Sequence, residues 1–255
     1  MKIAYLGFDL FYPAFRWLCD HCEISGVYSC KTDGVYESSD RIRTLCKERS
    51  IPYTEERITM EDIDKLVELG CEMMISAGYY YLIPVDDRLR QVNIHPSLLP
   101  YGRGAWPMPL AILDRLEQSG VTFHKISEGF DEGDILLQKS FTLFEDDNLE
   151  TFMEKAYRLL PDMLFELISE TDALFENAAP QTEGVYQKEP DPEDYIIDEH
   201  SDFSYADRVL RAFYGFPVYY RDKDSVIQIV KGTAVRGDNR SKKLKVKGGY
   251  ITALK

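Results

Sequence analysis

Short apolar runs alternate with segments of helical hydrophobic spacing through the first third of this 255-residue chain. Ile3–Gly7, Ile24–Ser29, Ile51–Thr54 and Met73–Ala77 are too short for helices, and several are bounded by turn-forming residues. Runs of this kind suit strands buried on both faces of a sheet. Between them, helices are expected near Pro13–Cys22, Ser39–Arg49 and Thr59–Leu69. Such alternation predicts an α/β protein with a mostly parallel sheet and right-handed crossovers.

Farther along, Val92–His95 reads as a strand stopped by Pro96, and residues 106–118 as a helix. Val121–Ile126 alternates like a strand, with Ile135–Phe141 as its hairpin partner. Asp146–Glu170 is the clearest amphipathic helix, with Leu149, Phe152, Met153, Ala156, Leu159 and Leu160 on one face and Pro161 as a candidate kink. Residues 176–195, punctuated by Pro and Gly, read as an extended linker. Ser225–Lys231 and Leu244–Leu254 alternate like short strands around Gly248-Gly249. The expected organisation is a catalytic domain over 1–175, a linker over 176–200 and a small helix-plus-β subdomain over 201–255.

Composition narrows the class. Hydrophobic content of 44% and charged content of 29% describe an ordinary globular chain. The apolar opening Met1–Gly7 is too short for a signal peptide, and no window approaches a membrane span. Five cysteines, an odd number without a secretion signal, point to free thiols in the cytoplasm. Cys19-Asp20-His21-Cys22 resembles half a zinc site but has no second close pair, so no metal is expected. Net charge is −14, unfavourable for general nucleic-acid binding. Residues 221–255 nevertheless hold ten Lys and Arg against three Asp, a local +7 that leaves −21 elsewhere. That basic tail suits either a solvated face or a patch for a diphosphate or RNA.

Chemistry concentrates in Asn93-Ile94-His95-Pro96-Ser97-Leu98-Leu99-Pro100 and in Phe130-Asp131-Glu132-Gly133-Asp134-Ile135-Leu136. Their spacing of two puts Asn93 and His95 on the same side of a strand. An amide can hold a developing oxyanion, an imidazole can take a proton near neutrality, and a carboxylate can fix the ring's tautomer. With no Ser or Cys nucleophile evident, the set suits acyl transfer in which a substrate amine attacks. Each residue taken singly is also ordinary turn chemistry, since Asn-x-His before Pro and Asp-x-Gly are both common turns. His124 is a further candidate, although a strand histidine is more often simply packed.

These motifs, with Gly102-Arg103-Gly104 and Gly120-Val121-Thr122-Phe123-His124, resemble the formyltransferases that use 10-formyltetrahydrofolate. That group includes the methionyl-tRNA, glycinamide ribonucleotide and sugar N-formyltransferases. The resemblance covers most of residues 1–170 and continues more weakly to about 220. It implies a Rossmann-like formyl-transfer domain in which Asn93, His95 and Asp131 are catalytic. It also implies folate contacts from Tyr79, Tyr80, Tyr81, Leu82 and Ile83, and from Ser127, Glu128, Gly129, Phe130 and Asp134. Acceptor contacts would come from Gly7, Phe8, Asp9, Ser97, Leu98, Tyr101, Gly102, Arg103 and Gly104.

Departures from the family pattern bear on the acceptor. The first turn, Gly7-Phe8-Asp9-Leu10, lacks the small glycine-rich loop that cradles phosphate, which argues against purine synthesis. Nor does it make a dinucleotide fingerprint. A small acceptor, a nucleotide-linked amino sugar, is the leading expectation. The alternatives are a methionyl-tRNA formyltransferase-like enzyme, a formyltetrahydrofolate hydrolase and a non-catalytic folate-binding module. An aromatic-rich stretch at 213–220 fits either a homodimer contact or internal packing.

Overall fold

The computed structural model describes residues 1–191, 195–223, 225–237 and 244–253. Pro192 in the expected linker, Leu254 at the end of the last expected strand, and Arg240, Lys242, Lys243 and Lys255 of the basic tail lie outside the described residues. The chain divides into two compact units. The first comprises Met1–Arg103, Gly120–Ser140 and Ala156–Tyr186; the second comprises Gly104–Ser119, Phe141–Lys155 and Gln187–Lys255.

The first unit is built on a sheet of strand order β3-β2-β1-β4-β5-β6-β7. Its strands are β1 (Lys2–Gly7), β2 (Glu23–Tyr28), β3 (Tyr53–Thr54), β4 (Met73–Ala77), β5 (Arg90–His95), β6 (Gln118–Lys125) and β7 (Ile135–Thr142). Strands β1 to β5 pair in parallel, as the alternating pattern predicts, and β6 turns antiparallel against β5. Every residue of β4 is buried, as is all of β1 after Lys2, which is why these strands read as unbroken apolar runs. Three helices cross between the parallel strands: α1 (Tyr12–His21), α2 (Asp40–Glu48) and α3 (Met60–Glu68). Helix α3 begins in a capping box, Thr59 and Asp62 each satisfying the other's backbone N–H. Its Ile63 and Leu66 pack into a core with Ala4, Leu6, Cys30, Ile58 and Met74.

Two helices have narrower bounds than the sequence pattern gave them. Helix α4 (Pro107–Leu113) is shorter than the 106–118 pattern, because Gln118 already opens β6. Helix α5 (Leu149–Ser169) runs through Pro161, its buried Phe152, Ala156, Leu160, Met163, Leu164 and Leu167 holding one continuous face. It is followed by α6 (Thr171–Glu176).

In the second unit, α7 (Phe203–Ala212) packs on α4. Two three-stranded sheets accompany them among the described residues. One joins β8 (Ile197–Asp198), β9 (Val218–Asp222) and β10 (Ser225–Ile229); the other joins β11 (Gly232–Arg236), β12 (Lys245–Val246) and β13 (Gly249–Ala253). The apolar pattern foretold β10 and β13 but not β9 or β11. The aromatic stretch at 213–220 is partly internal: Tyr220 is buried with its hydroxyl donating to the Lys245 carbonyl, and Phe216 meets Trp106 edge-on. No helix among the described residues is long and apolar enough to cross a membrane.

Candidate active site

The antiparallel register of β5 and β6 builds the site. It places Asn93 opposite His124 and His95 opposite Thr122, so one strand pair supplies an amide and two imidazoles. Asp131 joins them from the β6–β7 connection, buried and at φ 56° in the left-handed region. A non-glycine residue held there costs about 1–2 kcal/mol, although Asp tolerates it better than most.

One carboxylate oxygen organises the cluster. Asn93 Nδ2 donates to Asp131 Oδ1 at 3.1 Å and to His124 Nε2, also at 3.1 Å. His95 Nδ1 and His124 Nε2 each lie 3.4 Å from the same oxygen. Carbonyls only accept, so His95 Nε2 donates to Gly102 O at 2.7 Å and His124 Nδ1 donates to Lys125 O at 2.8 Å. In the neutral rings, His95 Nδ1 and His124 Nε2 therefore carry the lone pairs. The Asn93 amide is oriented by the same logic, since a flipped amide would set its oxygen against a carboxylate. A proton reaching His95 must land on Nδ1, beside Asp131. Burial holds the His95 pKa below its ordinary value, the Asp131 charge and the Gly102 bond oppose that, and His124 adds to the lowering.

The turn after β5 is pinned by buried and half-buried polar bonds. Thr122 Oγ1 donates to Ser97 O at 2.6 Å, Gln138 Nε2 donates to Thr122 Oγ1 and to Leu99 O, each at 2.9 Å, and Ser97 Oγ donates to Tyr101 O at 2.8 Å. These bonds hold the turn that presents the Gly102 carbonyl to His95. Residues 176–186 of the segment read as a linker belong to the first unit, with bridges from Ala179 to Ile135 and from Tyr186 to Arg103. Its Gln181 Nε2 donates to the carbonyls of Asp131 at 3.0 Å and Gly133 at 2.6 Å. Gly133 has no room for a side chain, because a Cβ there would sit 1.8 Å from Lys125 O. Gln138, Gln181 and Tyr186 gave no sequence signal, each acting through contacts distant along the chain.

The remaining candidates take varied places. The Tyr79 hydroxyl accepts from Ile58 N at 2.9 Å, Tyr81 meets Tyr79 edge-on, and the Tyr80 hydroxyl donates to Glu37. Leu82 O accepts from Arg57 at 3.4 Å, and Ile83 is buried in the core. Ser127 Oγ donates to Gly129 O, Glu128 is exposed, Phe130 is 45% exposed and Asp134 pairs with Lys125. Gly7 permits close approach of Ala77 O, and Phe8 is buried against Tyr80. The Asp9 carboxylate caps α2, accepting from the N–H groups of Arg41 and Ile42 at 3.0 Å each. Leu98 is half-buried and Tyr101 exposed, while Arg103 donates to Gln181 Oε1. Gly104 falls in the second unit. His21 stacks on Trp17, and no group of three His, Cys, Asp or Glu among the described residues is placed to hold a metal.

Residues 31–168 match the formyl transferase family, and the chain belongs to it. A methionyl-tRNA formyltransferase of Ehrlichia ruminantium (strain Gardel) is 38% identical over 159 residues, 61% of this chain and 52% of that protein. The chain thus spans about half the length of that relative. Another methionyl-tRNA formyltransferase, from Ehrlichia chaffeensis, is 30% identical over 286 residues, covering 100% of this chain and 91% of its own. Among solved structures, a sugar 3N-formyl transferase determined in the presence of dTDP and 5-N-formyl-THF superposes with a TM-score of 0.69. It is 18% identical, covering 99% of this chain and 97% of that one, a likeness of fold alone.

Proposed function

We propose that the protein transfers the formyl group of 10-formyltetrahydrofolate to a primary amine. The single observation that carries this reading is the convergence of Asn93, His95 and His124 on one Asp131 carboxylate oxygen. The amine nitrogen attacks the formyl carbon. Asn93 exchanges one of its present bonds for the oxygen of the tetrahedral intermediate, a contribution of about 3–4 kcal/mol for one well-placed donor. His95 takes the amine proton on Nδ1, where Asp131 supports the imidazolium, and the carbon–N10 bond then breaks as N10 is protonated. Holding both substrates together contributes the remaining acceleration. Exposed apolar surface on Phe130 and Leu82 fits a flat folate ring, which backbone groups of 79–83 and 127–131 would hold.

The acceptor we favour is a nucleotide-linked amino sugar. Support comes from the acidic chain, with net charge −14, and from fold likeness over the whole length to a sugar 3N-formyl transferase. A methionyl-tRNA acceptor is the second reading. It is supported by 30% identity along the full chain and by exposed Arg221, Lys223, Lys231, Arg236, Lys245 and Lys247. We place the protein in the cytoplasm, where its free cysteines would stay reduced. The test is incubation with 10-formyltetrahydrofolate and a panel of nucleotide amino sugars, charged tRNA and amino acids, read by mass spectrometry. A formylated nucleotide sugar is expected; formylated methionyl-tRNA would select the second acceptor. Formate release with no formylated amine would indicate a hydrolase, and folate binding without turnover would overturn the enzymatic reading.

A further inference from the structure

The sheet fixes three members of the cluster, whereas Asp131 stands in a loop, in a left-handed conformation, and its distance from His95 depends on what holds that loop. We propose that Gln181, itself gripped by Arg103, is a positioning residue that sets the Asp131 carboxylate against His95. The inference rests on the reading of Asp131 as the support of His95.

Gln181 uses its whole amide. Its Nε2 donates to the carbonyls of Asp131 and Gly133, and its Oε1 accepts from Arg103 Nε at 3.1 Å and Nη2 at 2.8 Å. With both hydrogens and the oxygen engaged, the amide has one orientation. Arg103 is only 8% exposed, and its Nη2 also donates to Thr182 O at 3.1 Å. Gly184 lets this strap, residues 181–186, lie so close: a Cβ there would stand 2.6 Å from Pro100 O and 2.8 Å from Arg103 Cζ. Tyr186 extends the grip, its hydroxyl lying 2.8 Å from Phe130 O. The strap therefore bonds the backbone carbonyls of Phe130, Asp131 and Gly133.

The test compares Gln181→Leu and Asp131→Asn in the full chain. Gln181→Leu removes both donors at nearly constant reach. It should lower kcat for formyl transfer by about 10–100-fold, as displaced supporting groups do, with little change in either KM. In a titration of ¹⁵N-labelled histidines, His95 should move to lower pH in this variant, the direction Asp131→Asn produces. A merely structural Gln181 would leave that titration where it is. An unmoved His95 titration, with or without a loss of kcat, overturns the proposal. Should Gln181→Leu fail to fold by circular dichroism, Arg103→Lys, which keeps charge but loses the fork that grips Gln181, is read against the same criteria. If Asp131→Asn alone retains full activity, the reading of Asp131 fails. The His95 titration in Gln181→Leu would still report whether the strap holds the loop.

Discussion

Asn93 lies directly opposite His124 across the β5–β6 pair, its amide nitrogen 3.1 Å from the imidazole Nε2. The bond gives His124 a use that a packed strand histidine would lack, since it orients the amide that we propose serves the reacting oxygen. His124→Leu removes this acceptor and should lower kcat about tenfold, the loss expected from one hydrogen bond of about 1.4 kcal/mol. Asn93→Ala should cost about a hundred- to a thousandfold, because the oxyanion donor itself goes. Steady-state formyl transfer by both variants checks the order; equal losses would place His124 in the chemistry itself.

The pH profile follows from His95. Its folded pKa is depressed below the ordinary 6.5, burial being the first cause. The neutral, proton-accepting ring should persist below pH 6.5, and kcat/KM should fall only at lower pH, as the ring becomes charged. Asp131 partly offsets the depression, so Asp131→Asn should carry the acid limb lower still. The same group contributes stability that is complete above its unfolded value and lost as pH falls through its folded one. Rate measurements across pH 4–8 test the order of the two limbs.

Gly133→Ala would place a methyl within 1.8 Å of a backbone carbonyl that β6 cannot move without breaking register. The loop should shift instead, taking Asp131 with it. Displacement of about 1 Å costs on the order of a hundredfold in rate. Activity should fall by that much while circular dichroism stays unchanged; an active variant would show that the loop has slack.

Thr59→Ala removes half of the capping box at the start of α3, away from the site. Stability should drop by about 1 kcal/mol with kcat unaffected. Urea unfolding and a parallel activity assay measure the two effects.

Short buried runs such as Met73–Ala77 announced the parallel strands because strands covered on both faces have no polar alternation to obscure them. The Asn93-x-His95 spacing revealed a shared strand face for the same geometric reason. Other features depend on partners far along the chain. The cap on α2 comes from Asp9, more than thirty residues before Ile42, and no local pattern signals it. Gln181 sat in a stretch whose Pro and Gly content suggested only a tether, since neither donor of its amide is used nearby in sequence. Nothing near Arg103 in the sequence signals that its guanidinium bonds Gln181, 78 residues away. Helix α4 was overextended because Leu116, apolar and correctly spaced, belongs to the turn leading into β6.

The antiparallel turn of β6 divides the Asn93, His95, His124 and Asp131 cluster between two kinds of scaffold. Two imidazoles and an amide stand on the backbone ladder, while the carboxylate stands on a loop tied down from residues about fifty positions away. A change in the length of that loop would carry the carboxylate away while the three ladder groups stayed where they are, so the cluster has one adjustable distance, that from the acid to the rings.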